Sequence, residues 1–320
     1  MGQAGRGLLR HIGRMTRTRP LWLIAAPALF LLLWSAGFAI AKLGLQHAPP
    51  ITLLALRYGL VLLLLLPVAA VIRPAWPRGW RQWFDIAVVG FLIQVAYFGL
   101  CYWAFKSGVS AAGVAIVVCL QPILVGLIAP HFVGEAVGPR VWAGLGLGLA
   151  GAVVVILSRG EVQADNPWGL VLTVGALIGM TAGTLYEKRF GTSHHPVASN
   201  LIQYAVGAAC TLPVALATET LTILWDGEFI AVLAYLVVGN SLLAMSLLLA
   251  MIRVGEVSRV SALFYLVPAM AALFAVPLLG EAMPPAAWGG MALAGLGVAM
   301  ASRKAPTPPP SRVDAEATGA

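Results

Sequence analysis

Charge is what this sequence has least of. Of its 320 residues only 10% are charged, where a soluble protein carries about a quarter, while 60% are apolar and the mean hydropathy is +0.90. That deficit excludes a water-soluble globular domain and makes lipid the solvent for most of the chain. Room is scarce too: ten spans of about 20 residues use roughly 200 residues, which leaves no appended catalytic domain. The four lysines follow Ala41, Phe105, Glu187 and Arg303, so the Gly-Lys step of a phosphate-binding loop is missing and ATP is not the direct driver. No Asp or Glu falls in the middle of an expected span, which removes the usual intramembrane proton relay. Glu135 or Glu281 could still take a proton at a span end, so facilitated diffusion, exchange and weak proton coupling all stay open. Cys101, Cys119 and Cys210 are odd in number and lie in apolar stretches, against a disulfide framework. His11, His47, His131, His194 and His195 scatter over expected tails and loops, so neither a metal site nor a catalytic set converges, and neither an enzyme nor a cofactor is expected.

What is there is apolar and regularly punctuated. Helices are expected near 21–42, 51–72, 84–105, 109–132 and 140–158, then near 168–188, 197–218, 229–252, 257–279 and 286–302. Short proline- or glycine-bearing connections such as Ala48-Pro49-Pro50 and Gly138-Pro139 separate them. The run from Leu21 continues to Ala41 without a small-residue cleavage site, so it reads as a retained first span. The expected organisation is a basic segment over 1–20, a five-helix unit over 21–158, a linker over 159–167, a second five-helix unit over 168–303 and a disordered tail over 304–320. Sixteen basic residues, from Arg6 to Arg312, fall on one side of these spans, against Lys42, Lys106 and Arg159 on the other and Arg57 within a span. That bias explains the net charge of +8 without nucleic acid and places both termini in the cytoplasm.

The strongest signal is internal. At an offset of 146 residues the chain matches itself without a gap, through Ala36/Ala182, Gly37/Gly183, Lys42/Lys188, Tyr58/Tyr204, Pro67/Pro213, Pro122/Pro268, Gly134/Gly280, Glu135/Glu281, Pro139/Pro285, Trp142/Trp288, Gly144/Gly290 and Gly151/Gly297. Apolar bias alone would align Ala and Leu, not Lys, Glu, Pro and Trp in register. Each half holds five spans, an odd number, so the halves must lie in the membrane with opposite orientation. Such inverted repeats accompany alternating access around a site near the bilayer midplane. The fold expected is an all-α polytopic membrane protein of ten transmembrane helices in two inverted five-helix repeats.

These residues also carry a family resemblance. Trp34-Ser35-Ala36-Gly37-Phe38 leading to Lys42, the Ala55-Leu56-Arg57-Tyr58 step, and the twice-occurring Pro, Gly-Glu and Trp-x-Gly pattern resemble the EamA-type branch of the drug/metabolite transporter superfamily over about residues 21–303. The resemblance implies a ten-helix carrier, most often an exporter of amino acids or other small metabolites, with a central cavity lined by both repeats.

Polar groups within hydrocarbon are costly unless buried against protein or a wet cavity, which makes them the first site candidates. They are Ser35, Gln94, Gln121, Thr181, Asn240 and Ser241; the offset pairs Ser35 with Thr181 and Gln94 with Asn240. Hydrogen bonding between helices, worth about 0.6 kcal/mol each, is the competing explanation. Trp34, Tyr97 and Tyr265 supply aromatic surface on the same helices, whereas Tyr102, Trp103 and Tyr186 read as interfacial belt. Pro122 follows Gln121 and Pro268 lies three residues after Tyr265, so kinks in the fourth and ninth helices would make paired mobile elements. Arg57 should snorkel or pair; a carboxylate anchor is the alternative to that structural reading, and its repeat mate is Gln203. Lys42 with Glu281, and Lys188 with Glu135, fall on opposite sides and could close two gates in turn. The function expected is a secondary transporter in the bacterial inner membrane, exporting a small molecule such as an amino acid, with protons as a coupling ion left open. Broad drug efflux, nucleotide-sugar carriage and a non-transporting scaffold or receptor are the alternatives.

Overall fold

The structure, a computed structural model, describes residues 21–109, 114, 117–158, 167–191, 194–255, 257–279 and 283–302, apart from the side chains of 21–24, 38, 39, 42, 271, 272, 275 and 277–279. The basic leader, the linker up to 166, the tail, Glu281 and the Lys42 side chain therefore lie outside the described residues.

The chain is an all-α bundle. Its helices are α1 (Leu21–Gly44), α2 (Pro50–Ile72), α3 (Trp80–Lys106), α4 (Gln121–Phe132), α5 (Pro139–Ser158), α6 (Pro167–Gly191), α7 (Pro196–Thr218), α8 (Gly227–Val254), α9 (257–279) and α10 (Pro285–Ser302). Six of them, α2, α3, α5, α6, α7 and α8, are long and apolar enough to cross a bilayer by length and composition. The α1–α2 and α7–α8 connections meet on one face, where the Leu224 N–H donates to the His47 carbonyl at 2.9 Å, and contacts among Glu135, Lys188, Gly255 and Val257 gather the ends of α4, α6 and α8 and the start of α9 on the other, here called the basic face.

The fourth helix is interrupted: Val114, Val117 and Val118 are helical, and the helix resumes only at Gln121. A turn at Cys119–Leu120 precedes Gln121, and Pro122 sits in the first helical turn. Proline has no N–H to bond the preceding turn and its ring crowds the carbonyl four residues back, so a helix restarts there more readily than it continues. Its repeat mate Pro268 has a milder effect: α9 tightens to a 3₁₀ turn over Leu263–Leu266 before resuming as an α-helix at Val267.

Two helices widen in mid-span instead, while α6 widens only at its end, over Glu187–Gly191. α3 is a π-helix over Phe91–Gly99, and α8 is one over Tyr235–Ala244. The offset of 146 carries one segment onto the other to within two residues.

The pseudo-symmetry is also visible in packing. A Cβ on Gly144 would stand 2.7 Å from the Gly297 carbonyl, and one on Gly151 2.6 Å from the Gly290 carbonyl. Gly144 is the mate of Gly290 and Gly151 of Gly297, so exchanging the repeats maps each contact onto the other. Because the later residue of α5 meets the earlier residue of α10, the two helices run antiparallel, as inverted repeats require. Lipid supplies no hydrophobic drive between helices, so this backbone-to-backbone approach, open only to small residues, holds α5 and α10 together. Tyr58 and Tyr204, also mates, meet with ring centroids 5.6 Å apart where α2 packs on α7.

Candidate transport site

The centre of the bundle is built on the two π segments. A π turn moves hydrogen bonds from the fourth to the fifth residue and leaves carbonyl groups short of helical partners. Tyr58 Oη donates to the Gln94 carbonyl at 2.9 Å, and Tyr204 Oη donates to the Ser241 carbonyl at 2.8 Å. The same tyrosine of each repeat thus bonds a carbonyl of the corresponding π segment, which carries Gln94 in the first repeat and Asn240 in the second.

Arg57 touches both segments. It does not snorkel and meets no described acid: it is 1% exposed, its Nε donates to Ser241 Oγ at 2.5 Å and its Nη2 to Asn240 Oδ1 at 2.7 Å. The guanidinium also lies 4.8 Å from the centroid of the Phe98 ring. Helix α2 of the first repeat is thereby tied to the π segment of α8 in the second.

Around this tie stands an aromatic wall. Trp34 contacts Phe30, Phe98 and Phe264 at centroid distances of 5.4, 5.7 and 5.8 Å. Tyr97 packs edge-on to Phe98 and, with Cys119, Phe264 and Pro268, lines a cavity of about 30 Å³. Tyr102, expected at an interface, is buried instead beside the Arg57 guanidinium, because α3 turns that face toward α2.

The polar candidates divide by how they are satisfied. Thr181 donates to the Leu177 carbonyl of its own helix at 2.8 Å, so its hydroxyl proton is engaged locally. Asn240 and Ser241 are engaged by Arg57. Gln121 Nε2 is shared at 3.4 Å between Thr184 Oγ1 and Ser261 Oγ. By contrast Trp34 Nε1, Ser35 Oγ, both amide atoms of Gln94, Gln121 Oε1, both amide atoms of Gln203 and Tyr265 Oη are buried with no protein hydrogen-bond partner. Both repeats contribute to these eight atoms.

The basic face is cross-tied. Lys188 lies 3.6 Å from Glu135 and donates to the Gly255 carbonyl, while Glu135 Oε1 accepts from the Val257 N–H at 3.0 Å. These contacts join the ends of α4, α6 and α8 to the start of α9. Two further ties were not foreseen. Glu187, 1% exposed, binds Arg253 Nε at 2.6 Å, and Arg189 donates to the Phe132 carbonyl at 2.6 Å. A groove of about 330 Å³ lies beside this network, lined by His194, Asn200, Ser246 and Arg253 among others.

The opposite face joins a different set of helices. Glu219, after α7, accepts from the Ile51 and Thr52 N–H groups at 3.2 and 2.7 Å and pairs with Lys106 at 3.3 Å. A carboxylate there satisfies orphan donors and the positive end of α2 together. His47 Nε2 lies 3.1 Å from Asp226, which caps α8 through the Phe229 N–H. His47 is held above its ordinary value of 6.5, first by its bond to the Leu43 carbonyl and then by Asp226, and Asp226 is held below 3.8 by its Phe229 bond and by His47.

Comparison with known proteins agrees with this architecture. The chain matches the EamA-like transporter family twice, over residues 20–157 and 167–303. It is 25% identical over 266 residues to a protein of Escherichia coli K12 named the uncharacterized inner membrane transporter YedA, spanning 82% of this chain and 85% of that one. It is 27% identical over 284 residues to a protein of Salmonella typhimurium named a probable amino-acid metabolite efflux pump, spanning 85% and 90%. A crystal structure at 22% identity shares the fold, with a TM-score of 0.74 over 88% of this chain and 96% of that one. With both halves matched, and with two five-helix units packed about a common axis, the chain is a multi-pass membrane protein that belongs to the EamA-like transporter family.

Proposed function

We propose that this protein is a secondary exporter of a small metabolite such as an amino acid, working by alternating access in the bacterial inner membrane with both termini cytoplasmic. One observation carries the reading: eight buried polar atoms, drawn from both repeats, have no hydrogen-bond partner among the described residues. Each such group costs about 1–3 kcal/mol when left without a hydrogen bond, so a carrier keeps them only to bind a polar guest. Trp34, Ser35, Gln94, Tyr97, Gln121 and Tyr265 would line its site, with Thr181, Asn240 and Ser241 as second partners exposed by movement. Carboxamides offer donors and acceptors together, which suits a zwitterionic or neutral solute.

The Lys188–Glu135 contact would close the basic face, and the matched Lys42 and Glu281 would close the other when the repeats exchange conformations. Breaks at Pro122 and near Pro268 put flexible backbone in α4 and α9, beside the same cavity. The efflux name of the Salmonella relative supports export of an amino-acid metabolite, and the YedA name supports the inner membrane. Broad drug efflux is favoured by one feature, the aromatic wall around Trp34. Nucleotide-sugar carriage would need several cations at the centre, where Arg57 stands alone among the described residues.

The test is counterflow in proteoliposomes with amino acids, purine-type metabolites, sugars and cationic drugs. Exchange of at least one class is expected. No exchange by monodisperse, folded protein would refute the carrier reading and leave a scaffold or receptor.

A further inference from the structure

Arg57 presents a charge that no described acid balances. A guanidinium stays protonated at any working pH, and this one lies about 10 Å into α2 at 1.5 Å per residue. The described acids, Asp85, Glu135, Glu187, Glu219, Asp226 and Glu228, all sit toward helix ends, and the ion pairs among the described residues join them to Lys, His or other Arg side chains, never to Arg57. Its bonds go to neutral oxygens of Asn240 and Ser241, and its face goes to Phe98.

The second observation is the asymmetry of the repeat. Under the 146-residue offset Arg57 becomes Gln203, Asn240 becomes Gln94 and Ser241 becomes Val95. On that equivalent side Gln203 and Gln94 are both 0% exposed, and none of their four amide atoms has a protein partner. The helices there still pack closely: Gly90 lies against the Gln203 backbone, and Gly207 lies against Gln94 and Tyr58. Packing at this level is thus achieved without a cation and without the bond. An arginine on one side only gives the centre a polarity, positive at one end and neutral with free donors and acceptors at the other.

We propose that Arg57 anchors the carboxylate of the transported molecule, while the free amides of Gln94 and Gln203 receive its neutral polar groups. Asn240 and Ser241 hold the guanidinium until the carboxylate replaces them. A carboxylate offers the guanidinium the opposite charge and two parallel N–H···O bonds in place of single bonds to two neutral oxygens, so it competes for the same donors. It also releases the tie between α2 and α8, which couples occupancy of the site to movement of one repeat against the other. The Phe98 ring beside the guanidinium, with the Trp34 ring packed on it, would accept an apolar side chain. The class of solute is therefore a small monocarboxylate with a second polar group. This assignment rests on the carrier reading above and narrows its substrate.

The experiment is proteoliposome counterflow with the twenty amino acids and their carboxamides, on wild type, Arg57→Gln, Arg57→Lys and Asn240→Asp. At least one amino acid should exchange in wild type at ten times the rate of its amide or more. Arg57→Gln should cut the acid tenfold or more and abolish the preference for acid over amide; Arg57→Lys should restore part of that preference. Asn240→Asp supplies a resident carboxylate, so the melting temperature should rise while transport of the acid stops. That variant keeps the proposal open to refutation even where Arg57→Gln folds poorly. Equal wild-type rates for acids and amides would overturn the anchor and leave the carrier standing, as would equal loss of both in Arg57→Gln. Silence of every acid overturns the anchor, and only silence of neutral and cationic solutes as well overturns the carrier.

Discussion

Glu135→Gln isolates the ion pair at the basic face, because a glutamine oxygen still accepts from the Val257 N–H while the charge is gone. Lys188 and Glu135 stand 3.6 Å apart with side chains 21% and 12% exposed. At an effective dielectric of ~20 that separation gives about 5 kcal/mol of gross attraction. Desolvation and partial screening reduce this to a net of about 1–2 kcal/mol. If the contact closes this face, its loss raises the population open on that face roughly tenfold. The reporter is Ser261→Cys, buried at 2% exposure beside Gln121, with Cys101, Cys119 and Cys210 changed to Ala. In vesicles with the basic face outward, an impermeant maleimide should label the Glu135→Gln protein about ten times faster than its parent. The exchange Glu135→Lys with Lys188→Glu should recover part of the closure, since a lysine at 135 cannot accept from Val257. Labelling of Glu135→Gln at the parental rate would refute the gate.

Further outcomes follow from the packing and from the opposite face. Gly151→Leu should lower the melting temperature by several degrees, because overpacking costs about 1–3 kcal/mol and the neighbours at Gly290 and Ala294 are backbone; Gly146→Ala, which meets open space, should leave it unchanged. The His47–Asp226 contact should stabilise the fold only within a pH window. Its histidine share is present at low pH and lost as pH rises through the raised His47 value, above 6.5; its aspartate share is lost as pH falls through the lowered Asp226 value, below 3.8. The melting temperatures of wild type and His47→Gln should therefore converge in alkaline buffer.

Much of the fold is legible in the sequence because lipid imposes a simple rule, and apolar runs of about 20 residues have few alternatives to a spanning helix. The 146-residue match likewise foretells which residues face one another across the axis, as with Tyr58 and Tyr204 and with the glycines of α5 and α10. It does not foretell the π segments. Phe91–Gly99 and Tyr235–Ala244 contain no proline, and the widening depends on tyrosines from neighbouring helices that bond the released carbonyls. Glu187 was hidden in the run Glu187-Lys188-Arg189, which reads as a solvated helix end until Arg253 is brought beside it by the α8 terminus. Gln203 is legible as the repeat mate of Arg57, but its burial and its unpartnered amide emerge only from the packing of α7 against α3.

The central claim is that the polar level between the repeats receives the transported molecule. Counterflow of the best amino acid by wild type and by Gln94→Leu, at equal protein per liposome and equal melting temperature, tests it most directly. Gln94 is wholly buried with both amide atoms unpartnered, so leucine should not harm the fold, and transport should fall at least tenfold. Wild-type transport by Gln94→Leu would contradict the account.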